Sequence, residues 1–565
     1  MFSWRINSLA FSGGEIVTLE PGSVCLLIGP NSSGKSAALR NLHAHLTGAT
    51  GPHAVIQQAT VVRSGTRDDF RVWFEENYPT RRFQGGQEVF TTRPGAAIPT
   101  SSLEDYWAQS ELMPGLWQFL SLSLDTASRT TIANYGPAID VWNAPPTLFV
   151  HSLQTNAELE AKVSNEMQAA FGRQLVIDWS ATPQVGFRVG QAPERTLEHD
   201  RVSEAYSAAL QLLPRLDEDG DGIRSFAGCL LAMYCGSQPV LMIDEPEAFL
   251  HPPQARRLGA ALARAAKENN RQVILATHSA DIVQGALNTG AKVAVCRMVR
   301  EGDRNHAAQL PSAELSALWS KPLLRSAAAI DGLFHQGVVV CEADGDVRFY
   351  EAILQRAEDK GLIAAPDFFF TQGSGKGELP TLAGSYRKLA TKAAIIADID
   401  LLRNPVEHQK CLAALGSELD TDDRRYKVMM NALGDAAPLM SINDALAEVE
   451  TVVAQIRSND AVSGADRQAI SRALQRSSTF SEAKRYGVGK LRGEPLTVAN
   501  ELLSEWRAVG LFLLPVGELE GWWREGPASD KNAWLSQAIV HMQEADSFQE
   551  AEQFVCEVAR FLGAV

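Results

Sequence analysis

Residues 29–36 read GPNSSGKS, and no other stretch restricts the fold of this chain so tightly. The apolar run 23–28 leads into it, and a segment carrying Ala37, Ala38, Leu39, Leu42 and Leu46 at helical spacing leads out towards Gly48. A buried strand, a glycine-bracketed turn and a helix in that order make a phosphate-binding loop. Gly29 and Gly34 let the backbone turn its N–H groups inward onto polyphosphate oxygens. Within the loop Asn31, Gly34, Lys35 and Ser36 are expected to meet the nucleotide. Lys35 adds a positive charge between the last two phosphates, and the Ser36 hydroxyl ligates Mg²⁺. A bare glycine turn is the alternative reading, and the adjacent Lys and Ser at the full spacing weigh against it.

At 565 residues and 45% hydrophobic content the chain exceeds one core, so about two to four domains are expected. It has no run of about 18 apolar residues, and its first residues, MFSWRINSLAFSGG, lack the order of a signal peptide. The expectation is a soluble cytoplasmic protein with no membrane partner. Seven scattered cysteines without a Cys-x-x-Cys pair suggest neither a disulfide framework nor a zinc site. A net charge of −15 argues against a generally basic surface, although an acidic protein can still carry a positive groove.

Along the chain, residues 2–22 read as short strands with a turn at Gly13 and Gly14, and 35–45 as a helix. Residues 50–215 are expected to form an inserted lobe. It has strand-like pieces at 54–62 and 71–74 and a helix over 156–171 that Asn156 caps. Its role is an arm, a dimerisation element or plain scaffold. The ATPase resumes with PVLMIDEPE (239–247), an apolar strand that presents Asp244 and Glu245 at its carboxyl end, where α/β sheets place ligands. Asp244 suits Mg²⁺, and Glu245 is placed to orient and deprotonate the attacking water. RQVILATHSADIV (271–283) is the next buried strand, so its His278 is expected beside that acid pair and near the γ-phosphate.

The phosphate loop, IDEPEAFLHP (243–252) and ATHS (276–279) resemble the ATP-binding cassette ATPases of the SMC and RecF group and of OLD-family (overcoming lysogenisation defect) nucleases. That resemblance implies ATP and Mg²⁺ as cofactors and a head-to-head homodimer, or a higher homo-oligomer, in which a signature segment of one subunit completes the other's site. DGDGIRSFAG (219–228) is the candidate segment. It departs from the Leu-Ser-Gly-Gly-Gln pattern. Gly222 would approach the phosphate, with Arg224 or Ser225 replacing the missing serine contact.

After an amphipathic linker at about 300–333, GVVVCEADGDVRFYEAIL (337–354) places Glu342 at a strand end and Asp344 and Asp346 in the turn to a helix. KAAIIADIDLL (392–402) ends likewise in Asp398 and Asp400. Helix capping explains one such ending. Two acidic endings on parallel strands repel one another strongly unless a divalent cation joins them. Their order, Glu-x-x-x-Asp then Asp-x-Asp, is similar to the TOPRIM domain of topoisomerases, primases and OLD-family nucleases. LFLLPVGELEGWW (511–523) resembles the further strand-plus-acid ending of the OLD type. It adds Glu518 and Glu520, with Lys531 beyond them facing either phosphate or solvent.

The fold class so implied is α/β. An ABC-type P-loop ATPase with an inserted lobe occupies 1–310, and a TOPRIM nuclease domain with a helical insertion over 403–510 occupies 335–565. Within that insertion helices are expected at 442–456 and 465–474. A basic stretch from Arg467 to Arg492, with Arg472, Arg476, Lys484, Arg485 and Lys490, is either a phosphate-contacting patch or a solvated face. The implied function is an ATP-regulated, Mg²⁺- or Mn²⁺-dependent DNA endonuclease in bacterial phage defence, as in Gabija-type or retron-associated systems. A helicase, a reverse transcriptase with its RNA–DNA product, or a small protein is the implied partner. The alternative is a nucleotide-dependent sensor or scaffold whose TOPRIM half is inert. The altered signature segment, and Ala343 where the family often has glycine, leave it open.

Overall fold

We describe the chain from a computed structural model covering residues 2–564, apart from 50, 52, 79, 83–87, 93–94, 141–143, 145, 195–202, 320–329, 365–366, 374, 418–423, 434–441, 457–482, 486, 528–530 and 545–546. It forms two compact units, Met1–His335 and Gln336–Val565.

The first unit is built on a six-stranded sheet in the order Arg304–Leu310, Val293–Glu301, Val24–Ile28, Gln272–Ala276, Val240–Asp244 and Ser121–Leu124. All neighbours are parallel except the Val293–Glu301 and Arg304–Leu310 hairpin. Val24–Ile28 and Gln272–Ala276 are buried at every position, as strands covered on both faces must be. The register sets Asp244 against Ala276, so the acidic and histidine-bearing strands end level with each other. A second, antiparallel sheet joins Ile16–Thr18, Ser3–Phe11 and Ile56–Ser64. Its Trp4, Ile6, Leu9 and Phe11 share one core with Leu39, Leu42 and Leu46 of the helix Lys35–Thr47, fixing that helix behind the loop.

Three expectations change. Residues 50–215 are not one insertion: Ile56–Ser64 pairs with the first strand, and Ser121–Leu124 is the sixth strand of the main sheet. Residues 71–74 are helical, within Arg67–Asn77, because Thr66 and Asp69 close a capping box that selects the helix start. Residues 300–310 are the sheet hairpin rather than linker. The helix Ala157–Phe171 does begin as expected, with the Asn156 side chain accepting the Leu159 N–H at 2.9 Å.

The second unit holds a four-stranded, wholly parallel sheet in the order Phe368–Gln372, Gly337–Cys341, Lys392–Ala397, Leu511–Leu513. In chain order this is 2-1-3-4. The winding therefore reverses between the first and third strands, and the crevice outside their carboxyl ends is where such sheets bind ligands. Helices Asp344–Asp359 and Gln549–Leu562 pack on the sheet through Phe349, Tyr350, Ile353, Phe554 and Val558. Ile442–Ile456 is helical; the helix expected at 465–474 and the basic residues Arg467, Arg472 and Arg476 lie outside the described residues. Among the described residues no helix is long and apolar enough to cross a membrane.

Candidate nucleotide and metal sites

The phosphate loop turns directly off a buried strand, and its glycines are required where they stand. Gly29 has φ 140°, and a Cβ there would lie 2.2 Å from the Met298 carbonyl oxygen; Gly34, with φ 92°, caps the helix. Asn305, from the sheet hairpin, donates its amide to the Ser33 carbonyl at 2.7 Å and so braces the loop from outside. Asn31 is exposed at the loop tip. The Lys35 ammonium lies inside the loop, donating to the Gly29 and Pro30 carbonyls at 2.8 and 2.9 Å. Burial lowers its pKa, and the charges of Glu245, Glu247 and Asp244 act against that shift.

Ser36 and Asp244 are brought together across 208 residues: the serine hydroxyl donates to Oδ1 of Asp244 at 2.9 Å. Burial raises the Asp244 pKa despite that bond. Glu245 has φ 48°, a left-handed conformation that a glutamate keeps only when its surroundings impose it. Arg129 supplies part of that imposition. It is fully buried on the helix Thr126–Ile132, after the edge strand. It donates to the Asp244 carbonyl, to the Glu245 carbonyl at 3.0 Å and to the Ser225 hydroxyl at 3.0 Å. His278 stands beside the acids as its strand order implies, with Nδ1 3.7 Å from Glu245. Its closer partner is Glu247, buried, which accepts the His278 backbone N–H at 2.8 Å and lies 3.2 Å from the ring nitrogen. Burial raises the Glu247 pKa.

Gly222 lies in the first turn of the helix Asp221–Cys235, where a Cβ would come within 2.5 Å of the Phe249 carbonyl. Ser225 does not serve as a substitute phosphate contact: it is fully buried and receives Arg129. Arg224 is held within the unit by Asp221 at 3.1 Å and Asn134 at 3.3 Å.

In the second unit Glu342, Asp398 and Asp400 converge, with one carboxylate oxygen of each within 4.8 Å of the other two. They occupy the switch point of the sheet. Glu342 follows the first strand and Asp398 the third, and Oε1 of Glu342 accepts the Asp398 backbone N–H at 3.0 Å. Burial pushes Glu342 up to about 7 against the pull of Lys376. Asp398 rises to about 8 through burial and the neighbouring charges of Glu342, Asp346 and Asp400. Asp400 moves the other way: burial would raise it, but hydrogen bonds from Lys376 and Lys484 hold it low.

Asp346 is outside that trio. Its Oδ2 accepts the Ala343 N–H at 3.0 Å, and burial raises its pKa. It faces the charges of Lys531 and Glu520. Lys531 lies 3.6 Å from Glu520 and is 74% exposed, while Glu518 lies 3.9 Å from Lys484. All the expected acids of this unit thus occur on one edge, with Glu342, Asp398 and Asp400 as the tight group. Hard oxygen donors of this kind suit Mg²⁺ or Mn²⁺. Two lysines meet Asp400 that the motifs did not assign to the site. Lys376 comes from the glycine-rich turn after Phe368–Gln372, and Lys484 was read only as part of a basic stretch.

Residues 166–283 match the family model described as "AAA domain, putative AbiEii toxin, Type IV TA system". No curated protein matches the chain. Among solved structures, SMC head domains are similar to it. An SMC head bound to the C-winged helix domain of ScpA is 12% identical, with 55% of this chain and 99% of that one covered and a TM-score of 0.35. The SMC head domain from Thermotoga maritima is 13% identical over 54% and 98%, at 0.28. A head with an extended coiled coil, bound to the C-terminal domain of ScpA derived from Pyrococcus furiosus, is 10% identical over 57% and 99%, at 0.31. Likeness at these scores assigns neither partner nor activity. The family match to an AAA domain falls on the segment that holds Asp244, Glu245 and His278 and, with the phosphate loop, supports a nucleotide-binding ATPase domain in the first unit.

Proposed function

We propose that the chain is an ATP-regulated, divalent-metal-dependent DNA endonuclease of the OLD type. In this reading the first unit hydrolyses ATP as a head-to-head homodimer and the second cuts a phosphodiester bond. The observation that carries it is the convergence of Glu342, Asp398 and Asp400 at the switch point of a parallel sheet. The parallel 2-1-3-4 sheet itself is in keeping with a TOPRIM domain.

Glu342, Asp398 and Asp400 would hold Mg²⁺ or Mn²⁺, with Asp346, Glu518 and Glu520 on the adjoining side. A divalent ion bound there supplies an activated water and charge stabilisation for the leaving oxygen. The residues of the chain do the rest. The Asp398 N–H fixes the Glu342 carboxylate, the Ala343 N–H fixes Asp346, and Lys531 offers positive charge to the scissile phosphate. In the ATPase, Ser36 and Asp244 hold Mg²⁺ and Asn31, Gly34 and Lys35 hold the phosphates. Glu245 orients and deprotonates the attacking water, and His278 contacts the γ-phosphate. Gly222 approaches the nucleotide of a second copy. The matched family description, which names a toxin–antitoxin system, agrees with a role in bacterial defence. A helicase, a reverse transcriptase with its RNA–DNA product, or a small protein would then be the partner.

The test is cleavage of supercoiled DNA with Mg²⁺ or Mn²⁺, with and without ATP, beside an Asp398→Ala, Asp400→Ala double variant. Metal-dependent cutting lost in the variant is expected. Absence of cutting under every condition removes the nuclease and leaves a nucleotide-dependent sensor. Lys35→Ala and Glu245→Gln should each abolish ATP hydrolysis, and an unchanged rate in Glu245→Gln refutes the base assignment.

A further inference from the structure

Both carboxylate oxygens of Asp400 already carry an ammonium group. Lys376 donates to Oδ1, and Lys484 donates to Oδ2 at 3.0 Å. The two lysines come from separate parts of the chain. Lys376 stands in the turn Lys376–Glu378 directly after Gly375, whose φ is 109°. Lys484 lies where the chain returns from the long insertion, on described helical residues 483–485.

Neither lysine has a single rigid partner. Lys376 is also 3.9 Å from Glu342, and Lys484 is 3.9 Å from Glu518. Their side chains are 31% and 37% exposed, whereas Asp400 is 14% exposed. The lysines therefore lie on the open side of the cluster, where a DNA backbone would arrive, and the carboxylate lies beneath them. An ammonium on a flexible four-carbon stem can change oxygen partners without moving the backbone. Lys531, at 74% exposure and next to Glu520, has no contact with Asp400 that would place it in the same competition.

We propose that Lys376 and Lys484 compete with a divalent cation for the oxygens of Asp400. By taking those oxygens, the cation turns the two ammonium groups towards the non-bridging oxygens of a phosphodiester. The inference rests on the nuclease reading above. It makes metal and DNA binding mutually supportive: each cation that displaces a lysine creates a phosphate contact. It also assigns opposite signs to the two equilibria when a lysine is removed. A permanent structural counter-ion would, on removal, weaken both.

The experiment uses the full chain and the variants Lys376→Met, Lys484→Met and the pair together. Lys392→Met serves as a control of equal charge change, because Lys392 begins the strand whose far end leads to Asp398. Mn²⁺ affinity is measured by titration calorimetry, and affinity for a DNA duplex by fluorescence anisotropy in Ca²⁺. Each lysine variant should bind Mn²⁺ at least fivefold more tightly and DNA at least fivefold more weakly, with both constants within twofold of wild type for Lys392→Met. Unchanged or weaker Mn²⁺ binding in the lysine variants, where Asp398→Asn abolishes it, overturns this proposal alone. Wild-type Mn²⁺ binding that is absent, or insensitive to Asp398→Asn, overturns the nuclease reading and this proposal with it.

Discussion

Arg129 gives the sharpest test of how the ATPase centre is held. Its guanidinium is fully buried and serves the Asp244 carbonyl, the Glu245 carbonyl and the Ser225 hydroxyl, with Thr126 Oγ1 at 3.3 Å as a fourth partner. Arg129→Met fills most of the volume and removes every donor. Each bond from a charged group to a buried acceptor contributes roughly 1.5–3 kcal/mol, and each neutral acceptor left buried without a donor costs about 1–3 kcal/mol. Against a typical stability of about 5–15 kcal/mol the variant should still fold, with its urea midpoint lowered. The loss of function should be selective. None of these bonds goes to the phosphate loop, so binding of a fluorescent ATP analogue should stay within about threefold, because the loop N–H groups and Lys35 would supply it. On the roles proposed for Asp244 and Glu245, turnover depends on where they point, and a displacement of about 1 Å costs on the order of 100-fold. Arg129→Lys, which can serve only some of the acceptors, should fall between. Wild-type turnover in folded Arg129→Met refutes the reasoning, and so does a parallel loss of affinity and turnover.

Three further outcomes follow from the same contacts. In EDTA, Glu342 and Asp398 titrate near 7 and 8, above their ordinary range. Their stabilising contribution is complete below about pH 4 and is lost as pH rises towards 8, at up to about 1.4 kcal/mol per pH unit for each proton held. Stability of the second unit should therefore fall between pH 5 and 8, and Mg²⁺ should restore it, as followed by chemical denaturation; a flat profile contradicts the burial of these acids. Glu552, 2% exposed, accepts from Arg356 and from Lys360 at 2.8 Å. Glu552→Ala takes the buried carboxylate from half-buried Arg356 and from the more exposed Lys360, and should cost about 1–3 kcal/mol by urea unfolding. Gly29→Ala drives a Cβ to 2.2 Å from the Met298 carbonyl and should abolish nucleotide binding while the second unit keeps its melting transition.

What could be read in advance was whatever lies on a strand end. Buried strands announce themselves as apolar runs, and the residue after each run is carried to the sheet edge whatever the rest of the chain does. That rule placed Asp244, Glu245, His278, Glu342, Asp398 and Asp400. It failed for groups that reach the edge sideways. Arg129 follows the strand Ser121–Leu124, whose four residues SLSL carry too little apolar signal to be recognised as part of the main sheet. Asn305 braces the phosphate loop from a hairpin that read as linker. Glu247 sits two residues past the expected base, and only the closeness of His278 makes it a partner. Lys376 had a usable signal, because glycines at 373, 375 and 377 surround it just past a strand, the pattern of a turn that approaches a ligand. Lys484 had none beyond its neighbours' charge.

The two units meet the same electrostatic problem with the same device. Each gathers acids at the carboxyl edge of a parallel sheet, and on the proposed function each would admit a polyanion beside them. In the first, Lys35 lies within the loop against the Gly29 and Pro30 carbonyls; in the second, Lys376 and Lys484 lie on Asp400. All three ammonium groups are already partly withdrawn from water by protein oxygens. A phosphate that takes over such a group exchanges one set of oxygens for another and strips little further hydration from the lysine, which is where burying a charge is most costly. For Lys35 the exchange frees backbone carbonyls, which carry no net charge. For Lys376 and Lys484 it frees a carboxylate, which repels the incoming phosphate unless a cation takes it. On the proposed function, the first site can therefore be filled by nucleotide with its own Mg²⁺, whereas in the second the metal would have to precede or accompany the DNA. Order-of-addition kinetics would separate the two: DNA association to the second site should be at least tenfold slower without prebound metal, and equal rates would break the argument.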